Sequence, residues 1–447
     1  MAQTFQDRLD EVIESFGSGT LEETRYLLES LRPQEIANVL TSTPPKMRWV
    51  LWELLDEEQE NQVLQYLGED VRARFLESMD PAQLLAAADE LDTDDFADIL
   101  QELPDTLSAE VLAAMDAKDR ARLEAVLSYD EESAGGIMNT DTITVQPRHA
   151  VELVLRYLRL RRDLPDPLDA LIVVNKQDEY VGVLPVSRLL TADVSVTVRE
   201  IMDTDATSIP VDMPDTEVAR IFAEQDLVSA PVIDPEGRLV GRITIDDVVD
   251  VIVADAEEAL LAPAGLDLDE DTFAPILVTA RRRALWLGIN LLTAFLASAV
   301  INLFEDTIAK VVALAVLMPI VASMGGIAGT QTLTLVIRGI ALGHIGRANL
   351  TYLLNREFLV ACLNGLLLAG VVAAAAATVF QDLLLGGVIA VAMVVNLLVA
   401  GIAGSLLPSA LRALKIDPAL AGGVVLTTIT DVAGFFVFLG LATLAYA

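Results

Sequence analysis

The chain has 447 residues, enough for two or three domains, and 66 acidic against 30 basic side chains leave a net charge of −36. That balance argues against nucleic acid or anionic lipid as a partner and favours cations. One cysteine, Cys362, and two histidines, His149 and His344, exclude an internal disulfide framework, a CxxC site and a His-rich metal cluster.

The charge is unevenly divided. Residues 1–280 hold 60 acids and 21 bases, a net of −39, whereas residues 281–447 hold 6 acids and 9 bases, a net of +3. An acidic soluble region therefore precedes an apolar one, although a merely solvated acidic surface also fits the first half. The opening MAQTFQDRLDEV has neither a basic nor an apolar leader segment, so no cleavable signal peptide is expected.

Residues 5–128 read as helix after helix. Apolar side chains recur at helical spacing (Leu27, Leu28, Leu31, then Ile36, Val39, Leu40), with breaks at Pro33, Pro44-Pro45, Gly68, Asp80-Pro81 and Pro104. Short, similar segments such as LLESLRPQEIANVL and FLESMDPAQLLAAADEL predict a stack of short helices, a small superhelix; an ordinary bundle is the plainer alternative.

Residues 133–256 change texture. Strand-like runs at 171–174 and 228–233 alternate with amphipathic helical segments at 150–160 and 215–225. Ile137-Met138 recurs as Ile201-Met202, and VVNKQDEYVGVLPVSRLL recurs as PVIDPEGRLVGRITIDDVVD, with Gly182 and Gly241 in matching strands. The order and period resemble a tandem pair of CBS domains, which implies a ligand-sensing, dimerising α/β module. An acidic amphipathic helix follows over 246–261, within a linker that runs to residue 272. Its acids line either a solvated face or a regulatory one.

Five apolar stretches come next, about 284–304, 311–337, 358–380, 383–407 and 419–446, each long enough for a ~30 Å hydrocarbon core. Arg281-Arg282-Arg283 precede the first. Arg338, Arg347 and Arg356 lie between the second and third, and Arg412 and Lys415 between the fourth and fifth. Bases on one set of connections place the soluble region in the cytoplasm and the C-terminus outside.

Asp431 stands alone in the last stretch, beside Thr427, Thr428 and Thr430. A lone carboxylate at membrane depth costs a few kcal/mol and marks a functional site. No base sits at matching depth, and the other stretches supply no Asp, Glu or His for a proton relay. A buried protonated acid and a passing cation remain, and the cation fits better. With no Cys or His cluster, the oxygen-rich inventory suits Mg²⁺ over Zn²⁺ or Cu⁺. The second stretch holds Pro319 and a glycine-rich run through Gly325-Gly326 and Gly329; the fourth holds Asn396, Gly401, Gly404 and Pro408. Close helix packing and freed carbonyls lining a cavity both account for them.

Tyr129 through Met138 (YDEESAGGIM), Gly325-Gly326 with Ala328-Gly329-Thr330-Gln331, Ile416-Asp417-Pro418-Ala419, and Thr428 with Thr430-Asp431-Val432 together resemble the MgtE family of magnesium channels and transporters, over the whole chain. The resemblance implies a multidomain membrane protein: an all-α superhelical N domain (1–130), α/β tandem CBS domains (131–200 and 201–245), an acidic plug helix (246–272) and a five-helix transmembrane domain (273–447). It implies a homodimer in a bacterial inner membrane with a pore on the dimer axis, and Mg²⁺ that closes the pore by filling acidic cytosolic sites. Asp431 takes the pore-aspartate position, with Ser323 and Thr427 supplying pore oxygens. Asp94, Asp98, Asp226, Asp247, Asp250, Asp255 and Glu258 take the regulatory positions. Thr244 and Asp247 lie where CBS modules hold a ribose, implying ATP or another adenosine nucleotide. Two departures stand out: Ile327 replaces a pore-facing asparagine, and Gly423-Val424 replaces a Gly-Pro or Asn-Pro pair. They leave open a member with broader divalent-cation selectivity, or a non-transporting, membrane-anchored CBS sensor. No nucleophile–base pair, phosphate loop or metal triad suggests an enzyme.

Overall fold

The computed structural model describes residues 12, 13, 15, 21–88, 91–161, 164, 165, 167–266, 271–341, 344–346 and 348–447. Arg347, the helical residues expected before position 12 and the linker at 267–270 lie outside them. Two compact units emerge, residues 1–257 with 268–275, and residues 258–267 with 276–447.

The first unit opens with short helices: α1 (Leu21–Glu29), α2 (Pro33–Thr41), α3 (Pro45–Trp52), α4 (Glu57–Leu64), α5 (Glu69–Leu76), α6 (Pro81–Ala88), α7 (Thr93–Glu102), α8 (Asp105–Ala114) and α9 (Ala117–Val126). Prolines start α2, α3 and α6, where a missing N–H costs nothing. Asp80 accepts the Ala82 and Gln83 amides at 2.9 Å, and Asp56 accepts the Gln59 amide at 2.8 Å. Alternate helices pack in series, α2 on α4, α4 on α6 and α6 on α8, which is the superhelical rather than the bundled arrangement. Trp52 stacks on Phe75 at 4.1 Å and Trp49 meets the same ring edge-on at 5.1 Å.

Two three-stranded sheets follow. The first orders β1 (Thr144–Val145), β2 (Ala170–Val174) and β3 (Tyr180–Pro185), and the second orders β4 (Ile209–Pro210), β5 (Ser229–Ile233) and β6 (Leu239–Thr244). In each, the first pair is parallel and the second antiparallel. Helices α10 (Val151–Leu160), α11 (Val186–Thr191), α12 (Val198–Ile201) and α13 (Asp215–Gln225) cover them.

The repeated Ile-Met and glycine positions now have a reason. Asn139, just after Ile137-Met138, exchanges backbone hydrogen bonds with Arg242 on β6, while Asp203, just after Ile201-Met202, does so with Val183 on β3. The lead segment of each repeat thus crosses the sheet of the other. A Cβ on Gly241 would lie 2.7 Å from the Met138 sulfur, and one on Gly182 would lie 2.3 Å from the Asp203 carbonyl oxygen. Only glycine fits under either crossing. The second sheet shares one hydrophobic core with the N domain, through Met138, Ile209, Phe222 and Val248. The acidic helix α14 (Ile245–Leu261) leaves β6 directly.

The second unit contains five helices long and apolar enough to cross a membrane: α15 (Ile276–Asn302), α17 (Ala313–Ala341), α18 (Leu350–Phe380), α19 (Leu383–Ala413) and α20 (Pro418–Ala445). A short α16 (Glu305–Lys310) follows α15, and Gln381, in the left-handed region at φ 53°, turns α18 into α19. Asp417 accepts the Ala419 and Leu420 amides with Pro418 in the first turn, which accounts for the Ile-Asp-Pro-Ala motif as a helix start. α15 and α18 begin eight residues before the apolar stretches read from sequence, because hydropathy marks the apolar core while the helices run on past it. α17 is continuous through Pro319 and its glycines. Close packing is therefore their use: a Cβ on Gly404 of α19 would lie 2.8 Å from the Gly329 carbonyl oxygen.

Candidate cation sites

Asp431 lies on α20 with partial exposure and, among the described residues, no hydrogen-bonding or basic partner. One turn earlier Thr427 is exposed; its hydroxyl donates back to the Gly423 and Val424 carbonyls at 3.0 Å, leaving its lone pairs outward. On α17, Ser323 and Ile327 are exposed one turn apart, Ile327 by 53%. The two faces adjoin, since a Cβ on Gly326 would sit 3.9 Å from the Thr427 methyl group. Ser323, Thr427 and Asp431 thus share an outward stripe of oxygen-bearing groups, with the apolar Ile327 set among them. Asn396 of α19, by contrast, is fully buried behind that stripe.

A second acid, Glu357, lies within the spans. Because α18 starts at Leu350, Glu357 falls inside a long apolar helix and is buried, contrary to the expectation that no other span holds an acid. It accepts from the Thr332 hydroxyl at 3.1 Å and from Arg356 at 2.6 Å, beside a cavity of about 210 Å³ that Gln331 and Asn364 also line. The Arg356-Glu357 pair reads as a loop in sequence, so hydropathy hides it.

In the first unit, Asp94 of α7 is buried to 7% exposure with Oδ1 unpartnered. Burial, and then the charge of Asp247 on α14, push its carboxyl well above the ordinary range, with Asp95 and Asp92 adding to it. Asp95 is pushed up to about 7, by burial and then by Asp92 and Asp247. Asp247 rises to about 6, mainly through burial, although its carboxylate accepts the Thr244 amide at 3.0 Å and hydroxyl at 2.8 Å. Asp98, one turn along α7, rises to about 6 by burial, opposed by Arg72. Asp250 is raised by burial and by Asp246. The structure therefore brings Asp94 and Asp247 together and adds Asp92, Asp95 and Asp246. The density of acids in DTDDFAD and IDDVVD is the signal that could have found those three. No three acidic, His or Cys groups converge at metal-ligand geometry among the described residues. Uncompensated acids spaced in this way suit a cation that keeps its water.

The other predicted residues lie elsewhere. Asp226 ends α13 in the left-handed region at φ 52° and, with Asp169, Thr207, Ser229 and Arg242, lines a cleft of about 310 Å³ between the two sheets. Thr244 and Asp247 do not line that cleft. Asp255 adds to the field raising Asp215. Glu258 is one turn further along α14, where the second unit begins.

A helical domain, two α/β repeats and five long apolar helices, with Asp431 on one of them and Glu357 on another, are the architecture of a multidomain membrane protein. The comparisons agree: residues 318–441 match the family MgtE, a divalent cation transporter, residues 31–132 match the MgtE intracellular N domain, and 134–195 and 198–254 match CBS domains. Over 438 residues the chain is 32% identical to the magnesium transporter MgtE of Thermus thermophilus, covering 96% of this chain and 97% of that one. It is 28% identical to the Bacillus subtilis magnesium transporter MgtE, covering 98% of each. A crystal structure of the cytosolic domain of the Mg²⁺ channel MgtE in complex with ATP aligns at a TM-score of 0.50 with 32% identity, over 54% of this chain and 99% of that one. The chain belongs to the MgtE family of magnesium transporters. It is a multi-pass membrane protein with an intracellular N domain, and not an enzyme.

Proposed function

We propose that the chain is a homodimeric, Mg²⁺-gated Mg²⁺ channel of a bacterial inner membrane, with its C-terminus outside. The observation that carries this is Asp431, a carboxylate without a partner among the described residues, on an outward stripe with Ser323 and Thr427. Facing lipid, such a stripe is costly. Facing its copy across a dimer axis, it lines a water-filled path with two carboxylates that attract a hydrated divalent ion.

The acidic cluster supplies the control. Asp94, Asp95 and Asp98 on α7 and Asp247 on α14 form a repelling group, with Asp250 beside Asp246 on the same helix, until protons or divalent ions neutralise them. Cytosolic Mg²⁺ bridges these groups, holds the N domain against the CBS pair and, through α14 with Asp255 and Glu258, closes the pore. An adenosine nucleotide is the ligand of the CBS pair, with its ribose at Thr244 and Asp247 or in the cleft that Asp226, Thr207 and Ser229 line. Mg²⁺ flux into proteoliposomes, with Mg²⁺ on the cytosolic face varied, tests the reading. Flux that ignores cytosolic Mg²⁺ would remove the gating half, and absent flux the channel.

A second reading concerns selectivity. The exposed apolar side chain of Ile327 on the pore stripe withdraws a hydrogen-bonding group from the ion's hydration shell. It favours a broader choice among divalent cations.

A further inference from the structure

Asn396 sits mid-way along α19 with 1% exposure, among Met393, Leu397 and Ala400, which are also buried. Its Nδ2 donates to the Val321 carbonyl of α17 at 2.8 Å, and its Oδ1 has no partner. An unpaired buried acceptor is destabilising, so space filling alone would favour leucine or methionine here. The amide is also gripped from two sides. A Cβ on Gly325 of α17 would lie 2.3 Å from Nδ2, and one on Gly434 of α20 would lie 2.8 Å from the same atom. Gly325 lies between Ser323 and Ile327 in sequence, and Gly434 is three residues after Asp431.

We propose that Asn396 is the positioning residue of the pore: its planar amide, wedged between Gly325 and Gly434 and bonded to Val321, sets the spacing and axial register of the Ser323–Ile327 face against the Thr427–Asp431 face. This rests on those faces lining the pore. It gives the two glycines one shared reason, because each leaves the only room for the same side chain. A larger residue at either position drives the helices apart; a smaller one at 396 lets them settle closer and removes the bond that fixes their register.

The test compares Gly325→Ala, Asn396→Ala, the double variant and Gly387→Ala in proteoliposomes of the full-length protein. Gly387 is a control on α19, where an added Cβ meets nothing within 4 Å. Gly325→Ala should lower Mg²⁺ flux by at least about tenfold, since the clash has to move a helix. Asn396→Ala should change the Mg²⁺ to Ca²⁺ flux ratio while leaving the cytosolic Mg²⁺ needed for closure unaltered. The double variant should recover most of the flux lost by Gly325→Ala, because the blocking amide is gone. Gly387→Ala should be neutral. A purely structural role predicts lower thermal stability with an unchanged flux ratio, which would overturn the proposal. So would Gly325→Ala as harmless as the control, or no rescue in the double variant. If single variants do not purify, Asn396→Ser, which keeps a small polar group, is read for the same ratio. Normal transport by Asp431→Ala would remove the pore reading; the Gly325–Asn396 coupling, read from the double-mutant cycle in thermal stability, then stands or falls separately.

Discussion

The guanidinium of Arg48 and the carboxylate of Asp271, far apart in sequence, meet in a two-point ion pair at 2.9 and 3.0 Å with side-chain exposures of 3% and 0%. Arg48 spends its other donors on the Leu40 carbonyl at 2.8 Å and the Thr43 carbonyl at 3.0 Å. The N domain thereby holds the segment that runs into α15.

Asp271→Asn leaves the buried Arg48 guanidinium without its counter-charge and should lower stability by about 3–5 kcal/mol, and Arg48→Ala should cost less because Arg74 stays 3.6 Å from Asp271. Urea unfolding followed by the fluorescence of Trp49 and Trp52, which pack on Phe75, reads it. The paired replacement Arg48→Met with Asp271→Leu should recover most of the loss. Burial raises the Asp271 pKa, but the Arg48 bond, the Phe273 amide and two guanidinium charges outweigh it, leaving the carboxyl below its ordinary 3.8. Its stabilisation is therefore present above 3.8 and lost as pH falls through the lower folded value.

The acidic cluster has the opposite sign. Carboxyls raised to about 7 at Asp95 and about 6 at Asp98 and Asp247 bind protons in the folded state first. The N domain and second CBS sheet should hold together more strongly as pH falls from about 7 towards the unfolded value, and less as it rises. Mg²⁺ must displace those protons, so calorimetric binding should be weaker near about pH 6 than near about pH 8, with proton release detectable from the buffer dependence. Equal affinity at both would contradict this.

Replacing Asp431 by alanine or asparagine should reduce Mg²⁺ flux by at least about tenfold, a loss of ~1.4 kcal/mol or more in stabilising the passing ion. Thermal stability should hold or rise, because a membrane-depth charge is gone. Undiminished uptake would end the pore assignment.

Ile327→Asn places an amide on the pore stripe. The expected outcome is a sharper preference for Mg²⁺ over Ca²⁺ and Co²⁺, by roughly tenfold or ~1.4 kcal/mol, in competitive flux assays. A preference already strict in the unchanged protein would dispose of the broader-selectivity reading.

Glu357→Ala should destabilise the second unit by about 1–3 kcal/mol, since Thr332 and Arg356 lose a buried acceptor. Glu357→Gln, whose one amide oxygen replaces only one of the two acceptors, should recover part of it. Detergent-phase thermal unfolding distinguishes them.

Much was legible from the sequence alone, where a signal is local. The proline breaks set the N-domain helices, because a missing N–H acts where it stands. Hydropathy located five spans, because lipid demands an unbroken apolar run. Asp431 stood out because a charge in such a run needs a reason. The acids of α7 and α14 could be counted there, but not paired. What tertiary structure alone decided is everything that depends on which surfaces meet. Asp94 gains its raised pKa from burial first and then from Asp247, over a hundred residues on, and both exist only once the chain has packed. The glycines of α17 could equally have freed carbonyls; the buried amide of Asn396 shows that they make room. Glu357 lay just outside the apolar run, and only the helix start at Leu350 brings it inside. Sequence records the cost of each residue in its own segment, while burial and charge coupling are properties of pairs, and pairs exist only after the chain has folded.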